Sequence, residues 1–280
     1  MIRLFACDLD GTLLNERHES DAFIEGVLRS VVESGRYFTV ATGRSTSMID
    51  FGEMNGRIYV ICMNGSLILD PKGRVVRCEK IDKEVLRQLL EQFPTLRMEC
   101  LSAQRSYIRQ DKETFVAAMM ANKDRMANGE RWVRRLLEHV DEQMCFSQRT
   151  EEILKQDICK INCRVDTQEE ARQLQEYLQA HADALVNAPS NQGHFEITAS
   201  GVNKGTAILH LADRLGIDVQ DVAVYGDGGN DLEMLTMFAH SYAPCTAQKE
   251  AQMAASAIIG SYQSYSVAKH IAETLVKEGE

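Results

Sequence analysis

The stretch Ile2-Arg3-Leu4-Phe5-Ala6-Cys7-Asp8-Leu9-Asp10-Gly11-Thr12 decides how the rest of the chain is read. Ile2 to Cys7 is short, apolar and β-favouring, so it reads as a buried strand ending at Asp8. Two carboxylates follow, two residues apart, and then a glycine turn. Working outward, Phe23, Ile24, Val27, Leu28, Val31 and Val32 recur at helical spacing, and Gly35 is a natural stop. The spacing predicts a helix from about Asp21 to Ser34. Tyr37 to Ala41 reads as a second strand ending at Thr42-Gly43-Arg44, and Ile58 to Met63 as a third ending at Asn64-Gly65. Leu67 to Leu69 and Arg74 to Val76 flank Asp70-Pro71-Lys72-Gly73, a hairpin signal.

Strands alternating with a helix predict a parallel sheet covered by helices. Ligands in such sheets bind beyond the carboxyl ends of the strands, where Asp8, Thr42 and Asn64 all fall. The alternation returns late in the chain. A helix over Thr206 to Leu215 is stopped by Gly216, a strand over Val222 to Tyr225 ends at Gly226-Asp227, Leu232 to Phe238 is helical, and a last helix carries Val267, Ile271 and Leu275. The middle has a different texture. It contains a helix over Val85 to Phe93, strands near Leu96 to Leu101 and Ser106 to Arg109, and a charged helical region around Glu130 to His139. Ile158 to Val165 alternates like a strand with one wet face, Asp166-Thr167-Gln168-Glu169 opens a helix with a capping box, and Leu185-Val186 and Phe195 to Thr198 are further strands. The expected fold class is therefore α/β: a parallel-sheet core over residues 1–80 and 189–280, interrupted by an α+β insertion with an antiparallel sheet over 81–188.

Bulk properties set limits. The chain has 280 residues, 44% apolar and 26% charged, so disorder is not expected. Its net charge of -10, without a long basic run, argues against nucleic acid and anionic membranes as partners. No apolar run approaches the roughly 18 residues of a membrane span. The eight cysteines are scattered without a C-x-x-C pair and read as buried free thiols, which suits a reducing, cytoplasmic setting.

Four short signals carry chemistry. In Asp8-Leu9-Asp10-Gly11-Thr12, Asp8 can attack phosphorus to form an aspartyl-phosphate, and Asp10 can protonate the leaving oxygen and then deprotonate water. Thr42-Gly43-Arg44 offers a hydroxyl and backbone N–H groups to phosphate oxygens, although alone it reads first as an ordinary turn. Lys204 precedes a helix, where a cation opposes the dipole; a solvated lysine is the plain reading, and stabilising negative charge on Asp8 and a phosphoryl group is the functional one. In Gly226-Asp227-Gly228-Gly229-Asn230-Asp231, two acids and an amide follow a strand. Magnesium takes oxygen ligands and commonly one or two carboxylates, which Asp8 and Asp227 can supply with the Asp10 carbonyl as a third protein ligand and Asp231 acting through water or by holding another ligand. In the middle region Arg105, Tyr107, Arg109, Lys160 and Arg164 are candidate contacts for an anionic substrate, with surface charge the first reading for each; Trp132 reads as a helix-face contact.

These four signals, in this order, resemble the haloacid dehalogenase-like superfamily, and the insertion after the third strand and hairpin resembles its Cof-type subfamily of phosphatases. The resemblance implies a Rossmann-like core with a mobile cap over the active site. It implies Asp8 as nucleophile, Asp10 as acid/base, and Mg2+ held by Asp8, Asp10 and Asp227, with Asp231 nearby. It places Leu9, Thr42, Gly43, Lys204 and Asn230 around phosphate, and Arg44 and Asn64-Gly65 on the substrate side. The implied substrate is a small phosphorylated metabolite (a sugar phosphate, nucleotide or cofactor), handled by a monomer or homodimer. A sugar phosphomutase and a silent phospho-ligand sensor are the competing functions. Ala243-Pro244-Cys245-Thr246-Ala247 and Tyr265-Ser266-Val267 depart from the family pattern, away from the catalytic set.

Overall fold

A computed structural model describes residues 1–122, 133, 137–138, 140–189 and 194–279. The chain divides into two compact units, one of Met1–Glu79, Ala188–Asn191 and Gly201–Glu280, the other of Lys80–Asn187 and Gln192–Ser200.

The first unit is built on an eight-stranded sheet. Its strands are β1 (Leu4–Cys7), β2 (Tyr37–Ala41), β3 (Tyr59–Cys62), β4 (Leu67–Leu69), β5 (Val75–Cys78), β12 (Val222–Tyr225), β13 (His240–Pro244) and β14 (Ala257–Ile259), in the order β14-β13-β12-β1-β2-β3-β4-β5. All pairs from β14 to β3 are parallel, and only β4 and β5 run antiparallel. The hairpin turn forms as expected: the Asp70 side chain accepts from the N–H groups of Lys72 and Arg74, both at 2.9 Å.

β1 is central and buried on both faces, which is why its apolar run is unbroken. Phe5 and Cys7 face a core shared with α1 (Ala22–Glu33) and α9 (Ser266–Gly279). Leu4 and Ala6 face the opposite core, under α6 (Lys204–Arg214) and α7 (Leu232–Met237). Asp21 caps α1 by accepting from Phe23 and Ile24 N–H, each at 3.1 Å. Cys7 lies level with Val40 of β2 and Tyr225 of β12, so the segments after these three strands emerge side by side. Chain order runs one way from β1 to β3 and the other way from β12 to β14, so β1 sits at the reversal where α/β sheets place ligands.

Strands β13 and β14 and the short helix α8 (Lys249–Ala254) have no counterpart in the sequence reading. Pro244 masks β13, since proline inside a run argues against a strand; here it closes the strand. β14 is three residues long and mostly exposed, so it carries no apolar pattern.

The second unit has a six-stranded sheet in the order β10-β11-β9-β6-β7-β8. The strands are β6 (Arg97–Ser102), β7 (Ser106–Ile108), β8 (Met144–Cys145), β9 (Ile158–Arg164), β10 (Leu185–Asn187) and β11 (His194–Ala199). All its pairs are antiparallel except β7 with β8. Helices α2 (Lys83–Gln92) and α5 (Gln168–Ala180) bury Leu86, Leu89, Leu90, Leu174 and Leu178 against Met98, Cys100, Ile161, Cys163 and Ile197. The Thr167 capping box is present, with Glu170 N–H donating to Thr167 Oγ1 at 3.1 Å and Thr167 N–H to Glu170 Oε2 at 3.0 Å. The boundary expected at residue 188 differs from the structure. β11 lies beyond that boundary yet pairs with β9 and β10, because its inward Phe195 and Ile197 complete the second unit's core. Most of the expected helix around Glu130 to His139, Trp132 included, lies outside the described residues.

The wet face expected on β9 is absent at Lys160, which is 2% exposed and ion-paired with Glu196. All eight cysteines are free, but only Cys7, Cys62, Cys100, Cys159 and Cys163 are buried, and Cys245 is exposed. Among the described residues no helix is long and apolar enough to cross a membrane.

Candidate active site

Asp8 extends directly from β1, and its side chain is buried. Opposite it, Lys204 is the first residue of α6, behind the cap residue Asn203, whose side chain accepts from Thr206 N–H at 2.8 Å. The ammonium is fully buried and bridges two acids, with Nζ 2.6 Å from Asp8 Oδ1 and 2.7 Å from Asp231 Oδ1. The other oxygen of Asp231 accepts from the N–H groups of Asp227 and Gly228, both at 2.9 Å. Asp231 thereby folds the loop after β12 and holds Lys204 at once. The conflict between Lys204 and its helix dipole resolves here: two carboxylates outweigh the dipole.

Asp227 sits close by. Thr12 Oγ1 donates to its Oδ1 at 3.1 Å, which gives a role to the threonine of the opening motif that sequence reading left without one. Gly11, in left-handed backbone at φ 80, passes so near that a Cβ there would lie 2.4 Å from Asp227 Oδ2. Carboxylate oxygens of Asp8, Asp227 and Asp231 all lie within 4.8 Å of one another.

Three carboxylates around one ammonium leave negative charge uncompensated. Burial pushes the Asp8 carboxyl well above the usual range; Lys204 opposes this, while Asp231, Asp227 and Asp10 add to it. Burial, reinforced by Asp231, lifts Asp227 to about 7. At Lys204 burial acts in the opposite sense and pulls the pKa down, but Asp231 and Asp8 overcome that, so it too is raised. A divalent cation would relieve this excess, so the donor set fits one; among the described residues Asp8 is hydrogen-bonded through Oδ1 to Lys204 and Asp227 through Oδ1 to Thr12. Asp231 has both oxygens committed to Lys204 and to backbone N–H groups.

Asp10 faces elsewhere. Arg44 Nε donates to its Oδ2 at 2.8 Å, and His18 Nδ1 lies 2.7 Å from its Oδ1. Burial alone would raise its pKa, but the His18 hydrogen bond and the Arg44 charge outweigh that and hold it at about 2. The sequence reading did not single out His18. It stands in a loop with left-handed backbone at φ 56, outside any strand-end motif, so nothing in the spacing marks it. Arg44, expected on the substrate side, spends its guanidinium on Asp10 and on the Met48 carbonyl at 3.0 Å.

Thr42 is buried, with its N–H on the Ile61 carbonyl at 2.9 Å and its hydroxyl accepting from Arg44 N–H at 3.2 Å. Leu9 is buried, and its carbonyl accepts from Leu14 N–H at 3.0 Å. Gly43 lies in the bend between Thr42 and Arg44. Asn64 and Asn230 meet at 3.1 Å, both buried, and Gly65 packs its backbone against Asn203. The structure thus gathers Asp8, Lys204, Asp227, Asp231 and Thr12 into one cluster and Asp10, Arg44 and His18 into another.

The second-unit candidates are mostly used locally. Arg109 donates to the Leu90 carbonyl and to Thr150 Oγ1, each at 2.8 Å, and Tyr107 Oη donates to Gln156 at 3.0 Å. Arg164 is half-buried, Arg105 is exposed, and Lys160 is paired with Glu196.

A family model for haloacid dehalogenase-like hydrolases matches residues 5–271. The chain belongs to that family. Within it, the chain is similar to Phosphatase YwpJ of Bacillus subtilis, at 27% identity over 96% of this chain and 100% of the relative. It is also 25% identical to 5-amino-6-(5-phospho-D-ribitylamino)uracil phosphatase YwtE of Bacillus subtilis, over 86% of this chain and 87% of that one. Among solved structures, a haloacid dehalogenase-like hydrolase from B. subtilis superposes with a TM-score of 0.83 at 25% identity, covering 97% of this chain and 99% of the other. In this haloacid dehalogenase-like hydrolase, one departure from the family pattern has a visible use: Tyr265 Oη donates to Asp21 Oδ2 at 2.6 Å, tying the start of α9 to the cap of α1.

Proposed function

We propose that this chain is a magnesium-dependent phosphatase that removes phosphate from a small phosphorylated metabolite through a covalent intermediate on Asp8. As a haloacid dehalogenase-like hydrolase it acts on phosphoric monoesters. The observation that carries the reading is the buried Lys204 bridging Asp8 and Asp231, with Asp227 within 4.8 Å of both acids. An unbalanced, desolvated cluster of this kind is costly to a fold and is characteristic of functional sites.

The residues divide the work. An Asp8 oxygen attacks phosphorus, and the bond from phosphorus to the ester oxygen breaks. The departing oxygen takes a proton from Asp10. Water then attacks phosphorus and gives its proton back to Asp10, the acyl-phosphate bond breaks, and phosphate leaves with Asp8 restored. Lys204 holds the attacking oxygen and offsets charge on the phosphoryl group. Thr42, Gly43, Asn230 and the Leu9 backbone hold phosphate. Magnesium, when bound by Asp8, Asp227 and the Asp10 carbonyl, would supply positive charge to the phosphoryl oxygens.

Asp10 as it stands is a carboxylate clamped by Arg44 and His18, the state suited to accepting a proton from water. For the first half of the cycle the clamp must loosen so that Asp10 carries a proton. The second unit is the substrate-specificity domain in this reading. The names of the relatives, one a phosphatase of a phosphoribityl compound, support a metabolite substrate and transfer to water.

The test is hydrolysis of an aryl phosphate by the purified chain with magnesium and with a chelator. Asp8→Asn is expected to lower the rate by at least about 10^3-fold. An Asp8→Asn variant that keeps its rate, or a rate indifferent to chelation, would remove the assignment.

A further inference from the structure

We propose that Asn64 is a positioning residue that fixes the orientation of Asn230 and fastens the loops around the site to the chain junction at Ala188. The proposal rests on the phosphatase reading above, in which Asn230 holds phosphate.

The backbone here is unusual. Met63 and Asn64 follow β3 in left-handed conformation, at φ 53 and 56, and Gly65 continues at φ 102. Left-handed backbone in successive non-glycine residues is disfavoured, and asparagine tolerates it better than most. The backbone N–H groups show what holds the turn: Met63 donates to the Arg44 carbonyl and Asn64 to the Thr42 carbonyl, both at 3.0 Å. A Cβ on Gly65 would lie 2.3 Å from the Asn203 carbonyl oxygen, at the start of the helix that carries Lys204. Residues 63–65 therefore touch the segments bearing Thr42, Arg44 and Lys204.

The Asn64 side chain adds a direction. It is 1% exposed, and its Nδ2 lies 3.1 Å from the Ala188 carbonyl. A carbonyl only accepts, so the amide must present its NH2 there. Its oxygen is then turned to Asn230, 3.1 Å away, and Asn230 must in turn present its own NH2. One backbone carbonyl fixes two amides in series, and the second belongs to the loop holding Asp227 and Asp231. Ala188 directly follows β10, the last strand before the chain re-enters the first unit. The phosphate-holding amide is thereby keyed to Ala188, where the chain leaves β10 and first returns to the first unit before β11. The sequence reading put Asn64 beside the substrate; the geometry points to an action through Asn230.

The test is a double-mutant cycle on the full chain, using an aryl phosphate with magnesium and inhibition by inorganic phosphate. Asn64→Gly keeps the left-handed backbone and deletes the amide. It is expected to raise KM and the inhibition constant of phosphate about tenfold, with kcat changed by less than about threefold. Asn230→Ala should give a similar change, and the double variant should be no weaker than Asn230→Ala alone, because the two residues act in series. Effects that multiply in the double variant overturn the proposal, and so does Asn64→Gly with wild-type KM and phosphate inhibition. If Asn64→Gly loses its folded circular-dichroism signal, the isosteric Asn64→Asp repeats the cycle, since its oxygen cannot donate to Ala188. Failure of the phosphatase reading would appear separately, as an inert wild-type protein.

Discussion

Among the described residues each unit buries one lysine, and the two differ in what surrounds them. Lys160 pairs with Glu196 across the second sheet. Lys204 faces Asp8 and Asp231, with Asp227 close by, one cation to three acids. A buried ion pair can persist as a structural choice, since the acid and base offset each other's desolvation. The unbalanced cluster has no such excuse, and its surplus charge is what a cation and a phosphoryl group would use. Burial alone therefore says little about a lysine; the surplus of acids around Lys204 is what supports its proposed role.

The comparison can be broken most directly at Lys204. Lys204→Met should lower the rate on an aryl phosphate by about 10^2–10^3-fold, because it removes the ammonium that pairs with Asp8, the proposed nucleophile. A rate within a few-fold of wild type would place the two lysines in the same class. Next in size is Lys160→Met, which removes the ammonium that pairs with buried Glu196. It should cost about 3–5 kcal/mol of stability in denaturant unfolding, with kcat of the folded fraction unchanged. The double variant Lys160→Met/Glu196→Leu should recover most of that loss. A rise in KM without loss of stability would instead mean that Lys160 serves substrate.

The smallest effect is in pH. Asp227 has its folded pKa raised to about 7 from an ordinary 3.8. The folded state holds this proton more tightly than the unfolded chain, so the group weakens the metal-free fold as pH rises from about 4 to about 7. As a proposed magnesium ligand Asp227 must be ionised, so its titration should make magnesium affinity climb about tenfold per pH unit below about 7, with the raised Asp8 adding to the rise. Titration calorimetry across that range checks both the slope and the proton released. A flat profile would show that Asp227 is already ionised and that the surplus charge is smaller than drawn.

Which parts were legible follows from the same physics. β1, β2 and β3 are buried on both faces or nearly so, and an unbroken apolar run announces them. β13 and β14 are short, proline-ended or exposed, and leave no such mark. Asp8 and Lys204 were singled out because carboxylates at a strand end, or a cation at a helix start, conflict with ordinary structure. His18 and the partners of Asn64 carry no conflict in one dimension. Their meaning lies in contacts across loops, 8 residues away for His18 and 166 for Asn64 with Asn230. Lys160 misled for a related reason: alternation marks which face a side chain takes, and the acid opposite it comes from another strand.

The placement of β1 has a consequence for how the molecule is made. One flank of β1 is β2, close behind it in the chain, but the other is β12, which begins at Val222. A ribosome releases Asp227 only after Asp8 and then the inserted unit have emerged. Until then the central strand stands with one edge unpaired, open to other chains or to a chaperone. Gly11 and Asp227, separated by that whole delay, pack so tightly that no side chain fits between them. A nascent chain arrested before β12 would thus carry Asp8 without Asp227 or Asp231, and so without the cluster of acids around it.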